Sequence, residues 1–85
     1  MKTFIFTETS KKATYGSNVQ LTVFRVKNNI PTKVGVAKYN TQSYRGEINE
    51  VARLLVDIKE LPKTALKGGY INYDKLDRDF KIIAL

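Results

Sequence analysis

The chain of 85 residues contains no cysteine, no histidine and no tryptophan. Without cysteine there is no disulfide framework and no thiolate metal site, and without histidine the usual zinc, haem and iron-sulfur ligations lack their ligands. Serine-histidine-aspartate and cysteine-histidine arrangements are excluded for the same reason, as is the commonest general base near neutral pH. We therefore expect a protein that is not an enzyme and that binds no cofactor.

The chain also lacks the glycine motifs that bind phosphate, and it lacks long apolar runs. Gly68-Gly69 follows Lys67 without the spacing of a P-loop or a dinucleotide fingerprint. The apolar start of the chain stops at Thr7-Glu8, short of the roughly 7 to 15 residues of a secretory leader. No apolar run approaches the ~20 residues that span a bilayer. We expect a cytoplasmic protein with no membrane association, folded as one domain over residues 1–85.

Acidic residues are absent from Thr9 to Gly46. The formal net charge is +7, and residues 1–45 hold eight basic residues and one acid, whereas residues 46–85 hold seven of each. Charges that serve only solubility are usually interspersed with the opposite sign. The excess in the first half therefore predicts a surface for an anionic partner.

Three acids near the end of the chain form the only carboxylate cluster: Asp74, Asp77 and Asp79. A calcium loop of the EF-hand type needs oxygen ligands at alternate positions, a glycine at the sixth and a glutamate at the twelfth. Cations alternate with the acids here instead, namely Lys75, Arg78 and Lys81. This alternation predicts a solvated, salt-bridged turn and no metal site.

Three β-rich segments occupy the first half of the chain. Thr3 to Thr7 alternates apolar and polar residues, and Gly16 is the expected turn residue before the second segment. The second and third segments, Val19 to Lys27 and Lys33 to Asn40, are separated by residues 28–32, a length suited to a hairpin. The pattern predicts three antiparallel strands in sequence.

A helix is predicted from Glu47 to Leu61, because apolar residues recur there on one stripe with helical spacing. Thr41 or Ser43 is placed to cap its start, and Pro62 ends it.

Short elements follow the helix. Lys67-Gly68-Gly69 is a predicted turn, with strands expected at Tyr70 to Tyr73 and Phe80 to Leu85. The segment between them, Tyr73 to Arg78, fits either a loop or a helical turn. The whole pattern predicts an α+β fold of β-β-β-α-β-β order, with an antiparallel sheet of about four to five strands and one main helix packed on one face.

The register of the second hairpin decides which side chains share a surface. Centring its loop on Ile30 places four apolar residues on the core face: Phe24, Val26, Val34 and Val36. The opposite face then carries a basic surface with one aromatic residue: Arg25, Lys27, Lys33 and Tyr39. A slip of one residue would exchange the two faces, and the apolar stripe Val19-Leu21-Val23 favours that slip.

A basic sheet face that includes an aromatic residue is one of the ways in which proteins hold nucleic acid. Tyr39 is suited to stack on a base, or alternatively to pack over Leu21 at the sheet edge, and Arg25 is suited to contact phosphate. The Lys11-Lys12 loop adds two further cations. The predicted binding residues are Lys11, Lys12, Arg25, Lys27, Lys33, Lys38, Tyr39 and Arg45.

The order of three strands and a helix over Phe4 to Leu61 resembles, in layout, the AP2-type and integrase arm-binding DNA domains. In those domains a three-stranded sheet packs on one helix and lays its other face in the major groove. The resemblance covers about two-thirds of the chain, and it implies a DNA-binding sheet face. This chain has no tryptophan and lacks the family's run after the third strand, so no residue roles carry over.

We therefore predict a small binding module of the phage or mobile-element type that engages nucleic acid or a nucleoprotein. The alternative is a stoichiometric inhibitor of a host machine, similar in kind to anti-CRISPR proteins, that binds an acidic host protein surface. In that case exposed Val19, Leu21 and Val23 would form the apolar centre of the interface, together with Tyr39. The sequence predicts no oligomeric state.

Overall fold

A mixed four-stranded sheet and one α-helix form the body of the protein in a computed structural model that describes residues 1–43 and 45–85. In chain order the elements are β1 (Lys2–Lys12), β2 (Ser17–Lys27), β3 (Ile30–Asn40), α1 (Glu47–Asp57), a 3-10 helix (Lys63–Ala65), β4 (Leu66–Lys67), β5 (Tyr70–Ile71) and β6 (Phe80–Ala84). The main sheet has the order β3-β2-β1-β6, and β4 and β5 pair separately. The predicted α+β fold is confirmed.

The prediction of a purely antiparallel sheet is wrong for its last strand. β1 pairs antiparallel with β2, but it pairs parallel with β6, with Phe4 beside Ile82. A parallel neighbour requires a long crossover connection, and the chain from α1 to β5 supplies it. No helix in the described part of the chain is long and apolar enough to cross a membrane.

Two tight turns set the meander of β1, β2 and β3. Gly16 has a positive φ of 66° at the first turn, as its predicted turn role requires. The second turn is only Asn28 and Asn29, whose φ angles of 53° and 61° fit the type I′ turn that matches strand twist. The predicted five-residue loop is therefore wrong, because two consecutive asparagines accept left-handed backbone angles.

This tight turn shifts the pairing of β2 with β3 from the predicted register. Leu21 lies opposite Ala37 and Val23 opposite Gly35, and a bulge at Val34 then brings Phe24 opposite Lys33. This shift leaves Leu21, Val23, Ala37 and Tyr39 together on one face, as predicted, but α1 covers that face, and the bulge moves Lys33 to the opposite one. The prediction that Phe24, Val26 and Val36 line the core is wrong, whereas Val34 packs against it from the bulge.

α1 begins at Glu47, as predicted, but it ends at Asp57 and not at Leu61. Lys59 adopts a φ of 63°, and the amides of Glu60 and Leu61 turn back to the carbonyl of Leu55 at 2.8 and 3.0 Å. The predicted side-chain cap is also wrong. Gly46 occupies the cap position without a side-chain hydrogen bond, and Thr41 Oγ1 instead accepts from the Ser17 amide at 2.9 Å.

The core lies between α1 and one face of the sheet. Val51, Ala52 and Leu55 of the helix are fully buried against strand residues that include Phe4 and Leu21. Gly35 lets the helix approach β3 closely, since a Cβ there would lie 3.2 Å from Leu54 Cδ2. Every buried residue of the main sheet lies on this face, which we call the covered face.

The segment between β5 and β6 is a series of turns and contains no helix. The carbonyl of Asn72 accepts from the amides of Lys75 and Leu76 at 2.9 and 3.3 Å. Asp79 lies 3.5 Å from Lys75 Nζ and 3.6 Å from Arg78 Nε. The predicted salt-bridged turn is confirmed at Asp79. β5 is shorter than predicted and pairs with β4 outside the main sheet.

Candidate nucleic-acid interface

The second face of the main sheet, which we call the open face, has none of the described elements packed over it. Its residues follow from the strand pairing and the alternation of side chains. They are Thr3, Ile5, Thr7, Thr9 and Lys11 of β1, Asn18, Gln20, Thr22, Phe24 and Val26 of β2, Pro31, Lys33, Val36, Lys38 and Asn40 of β3, and Lys81 and Ile83 of β6. All of them are exposed or only partly buried.

Four lysines frame the open face: Lys11, Lys33, Lys38 and Lys81. Lys33 and Lys38 lie on the edge strand β3, and Lys11 and Lys81 lie toward opposite ends of the sheet on β1 and β6. Rows of side chains on one face are about 6.8 Å apart along a strand, and strands are about 4.8 Å apart. The frame is therefore about 14 Å across the four strands and about 27 Å along them, and none of its strand residues is acidic.

An apolar row crosses the sheet inside this frame. Phe24 lies at its centre, with Lys33 beside it on β3 and Ile5 on β1. Ile83 of β6 extends the row and is 44% exposed. The covered face has no comparable exposed apolar row, because α1 lies over it.

Hydroxyl and amide side chains of β1 and β2 occupy the next two rows, toward the hairpin that joins these strands. Thr7 lies beside Thr22, and Thr9 lies beside Gln20. A shallow depression of about 590 Å³ lies at this end of the sheet, and most of the residues that line it belong to the open face, Lys11 and Lys38 among them. The open face therefore offers hydrogen-bonding groups between its cations.

The structure brings three of the eight predicted binding residues onto the open face: Lys11, Lys33 and Lys38. Lys11 and Lys12 belong to β1 and not to a loop, and Lys12 points to the covered side. Lys27 lies on the covered side as well, at the other end of the sheet. The predicted register, with its loop centred on Ile30, sets Lys27 opposite Lys33; this pairing is wrong, since Lys27 pairs with Ile30.

Arg25 and Tyr39 do not lie on the open face. Arg25 Nη1 forms a salt bridge with Glu60 Oε1, and the carbonyl of Glu60 also accepts from Lys2 Nζ at 2.8 Å. Tyr39 lies opposite Val19 on the covered face and packs against the core. Both residues share the face of Leu21 and Val23, as predicted, but this is the face that α1 covers.

Arg45 lies outside the sheet, in the segment before α1. Its guanidinium carbon lies 5.9 Å from the centre of the Tyr70 ring, a distance suited to a cation–π contact. The carbonyl of Arg45 also accepts from Asn49 Nδ2 at 2.7 Å. These contacts tie Arg45 to the helix and to β5, away from the frame of lysines.

Glu8, the only acid of the first half, lies on the covered face beside the start of α1. Its carboxyl is hydrogen bonded to that of Glu47, and this contact, followed by partial burial and the repulsion between the two groups, raises the pKa of Glu47 above its ordinary value. The pair keeps this acidic group off the open face.

Sequence reasoning missed Lys81, Phe24 and the apolar row. Lys81 lies on the open face because β6 pairs parallel with β1, which places Lys81 beside Thr3. No local sequence pattern predicts that pairing. The apolar centre proposed for an inhibitor is also misplaced, because Val19, Leu21 and Val23 are buried. The position of Phe24 beside Lys33 could have been predicted from Asn28-Asn29. This dipeptide favours a two-residue turn, and a two-residue turn at these positions sets Phe24 opposite Lys33.

The chain was also compared with known proteins. No family model, curated protein or solved structure matches it. The function proposed below therefore depends on the chemistry of the open face.

Proposed function

We propose that the protein is a non-enzymatic binding module that engages nucleic acid through the open face. The observation that carries this proposal is a sheet face framed by four lysines, with no acid among its strand residues and no described element covering it. A polyanion is the partner that such a frame attracts most strongly.

The ion pairs formed among the described residues lie away from the open face. Arg25 is paired with Glu60, Arg53 lies 4.0 Å from Glu50, and Lys75 lies 3.5 Å from Asp79. Within the described residues the four lysines of the open face form no such pair. Their charge is therefore left for a partner, and phosphates that neutralise it would release condensed counterions.

The neutral polar residues fit the same partner. Thr7, Thr9, Thr22 and Gln20 lie between the lysines, and hydroxyl and amide groups commonly donate to phosphate oxygens and to sugars. The lysines would supply affinity, and the polar rows would position the backbone of the ligand.

The salt dependence of binding tests this proposal. If the four lysines each neutralise one phosphate, a plot of log K against log salt concentration has a slope of about −3 to −4. Lys33→Ala or Lys38→Ala should flatten that slope by nearly one unit, measured by fluorescence anisotropy with labelled DNA and RNA.

Lys63→Ala is the matched control, because Lys63 is exposed on the 3-10 helix and lies outside the sheet. This variant loses the same charge and should keep the wild-type slope. If the wild-type protein binds neither DNA nor RNA at low salt, the proposal is overturned.

The apolar row favours a second candidate, a stoichiometric inhibitor that binds an acidic protein surface. Phe24 and Ile83 inside a rim of lysines resemble the apolar centre and polar rim of a protein interface. This candidate predicts a one-to-one complex with a host protein that survives nuclease treatment and moderate salt, and that is lost on Ile83→Glu. A complex that disappears after nuclease treatment contradicts it.

A further inference from the structure

We infer that the open face binds a single strand of nucleic acid and that Phe24 is the residue on which a base stacks. The inference rests on the proposed function and narrows its ligand to unpaired strands.

Phe24 is the only aromatic residue of the main sheet on the open face. The other aromatic residues of these strands, Phe4, Phe6, Tyr39 and Phe80, lie on the covered face. Phe24 is partly exposed and has the small Thr22 and Val26 as its neighbours along β2. No bulky side chain of its own strand therefore stands between its ring and a flat ligand.

The row around Phe24 is suited to bases rather than to phosphates. Ile5 and Ile83 continue it across β1 and β6, so that an apolar row lies inside the frame and the charges lie around it. A duplex presents its phosphates and groove edges outward and keeps its base faces stacked inside. A single strand can turn its bases onto the apolar row while its phosphates reach the surrounding lysines.

The lysines lie where the backbone of such a strand would pass. Lys33 is directly beside Phe24 on β3, and Lys38 lies further along the same edge, about 14 Å away by strand geometry. Lys81 lies at the opposite side of the sheet, one row from Ile83. A single strand of nucleic acid bound over Phe24 therefore meets cations on both sides of the stacked base.

The first test compares ligands and variants by anisotropy with labelled oligothymidylate, oligouridylate and a duplex. We expect the wild type to bind the single strands more tightly than the duplex at equal salt. Phe24→Leu keeps apolar bulk without the aromatic face and should weaken single-strand binding by about 5- to 150-fold. Phe24→Tyr should restore most of the affinity, and neither variant should change binding of the duplex.

Because the chain contains no tryptophan, a second test can measure tryptophan fluorescence at position 24. This test does not depend on a variant that binds more weakly. Phe24→Trp introduces the only tryptophan of the chain, so that its emission reports on this position alone. Stacking of a base on the ring should quench the emission and saturate at a fixed ratio of strand to protein. An emission that stays unchanged at saturating single strand overturns the inference.

The outcomes separate this inference from the function on which it rests. Equal or tighter binding of the duplex, or single-strand binding by Phe24→Leu at the wild-type affinity, overturns the inference and leaves a lysine-dependent nucleic-acid module. Binding of no nucleic acid at low salt overturns both. Thermal unfolding of each variant shows whether it is folded, and if Phe24→Leu is unfolded, Phe24→Tyr and Phe24→Trp decide the result.

Discussion

The covered face and the open face of the main sheet consist of alternating residues of the same strands, and they differ in what shields their apolar side chains. On the covered face, Phe4, Phe6 and Val23 are buried beneath α1. On the open face, Phe24 stays partly exposed and Ile83 is 44% exposed. Apolar surface that the fold itself does not bury is typical of binding sites.

One cation of the covered side and one of the open face also differ in whether a carboxylate neutralises them. Arg25, on the covered side, has a carboxylate partner in Glu60, whereas Lys33 has no ion-pair partner among the described residues. A charge neutralised within the fold contributes to structure, and an unneutralised charge beside exposed apolar surface is available to a ligand. Substitutions on the two faces should therefore have different effects on stability and on binding.

The largest effect is expected when single glutamate substitutions at two neighbouring positions of β2, one on each face, are compared. Leu21→Glu puts a carboxylate into the core beneath α1, where an unpaired buried charge costs about 3 to 5 kcal/mol in addition to the lost packing. Thr22→Glu, one residue later on the open face, should leave the free energy of unfolding within about 0.5 kcal/mol of the wild type. Denaturant unfolding measures both.

Thr22→Glu should nevertheless abolish nucleic-acid binding, because it places an anion at the centre of the lysine frame. Thr22→Gln is the matched control and should bind as the wild type does. A folded Leu21→Glu protein, or undiminished binding by Thr22→Glu, would contradict the assignment of the two faces.

A smaller effect is expected at Arg25. The Arg25 side chain is 41% exposed and that of Glu60 is 16% exposed, so Arg25→Ala should lower the free energy of unfolding by about 1 kcal/mol or less. Its binding curve should keep the wild-type salt slope, unlike that of Lys33→Ala. A slope flattened equally by both variants would show that the covered side also contacts the ligand.

The smallest effect is expected at Glu8 and depends on pH. Because contact with Glu8 raises the pKa of Glu47, the folded state holds that proton more tightly than the unfolded state. Stability from this site is present at low pH and is lost as the pH rises through the raised folded pKa.

Glu8→Gln should therefore raise the free energy of unfolding at pH 7 by less than about 1 kcal/mol, and the gain should vanish toward pH 4. Thermal unfolding across this range measures the difference. Nucleic-acid binding should not change with it, because the pair lies on the covered face. A variant less stable than the wild type at pH 7 would contradict the repulsion between the two groups.

Local sequence patterns were sufficient to predict most of the helices, strands and turns. The start of α1 at Glu47 and the turns at Gly16 and at Gly68-Gly69 were predicted correctly, because each depends on residues adjacent in the chain. The early end of α1 was missed, since Leu61 still joins the apolar core beyond the last helical turn. Apolar spacing alone does not distinguish the helix from the buried segment that follows it.

The candidate site was predicted less completely than the elements. Lys11, Lys33 and Lys38 were found because the acid-free span is visible in the sequence. Arg25 and Tyr39 were assigned to an exposed face, because every strand of period two has two possible outward faces and the strand pattern alone does not determine which one a helix covers. Lys81 was missed because it belongs to the electrically neutral second half of the chain.

The sequence was enough to exclude thiolate and imidazole chemistry, to predict an α+β fold and to locate the excess of positive charge before the helix. The tertiary structure decided which face α1 covers, and it added Lys81 by pairing β6 with β1. The physical reason is that alternation gives each strand two sides of similar local preference. Only the burial of Leu21 and Val23 under a helix distant in sequence distinguishes them, and that choice determined which lysines share a surface.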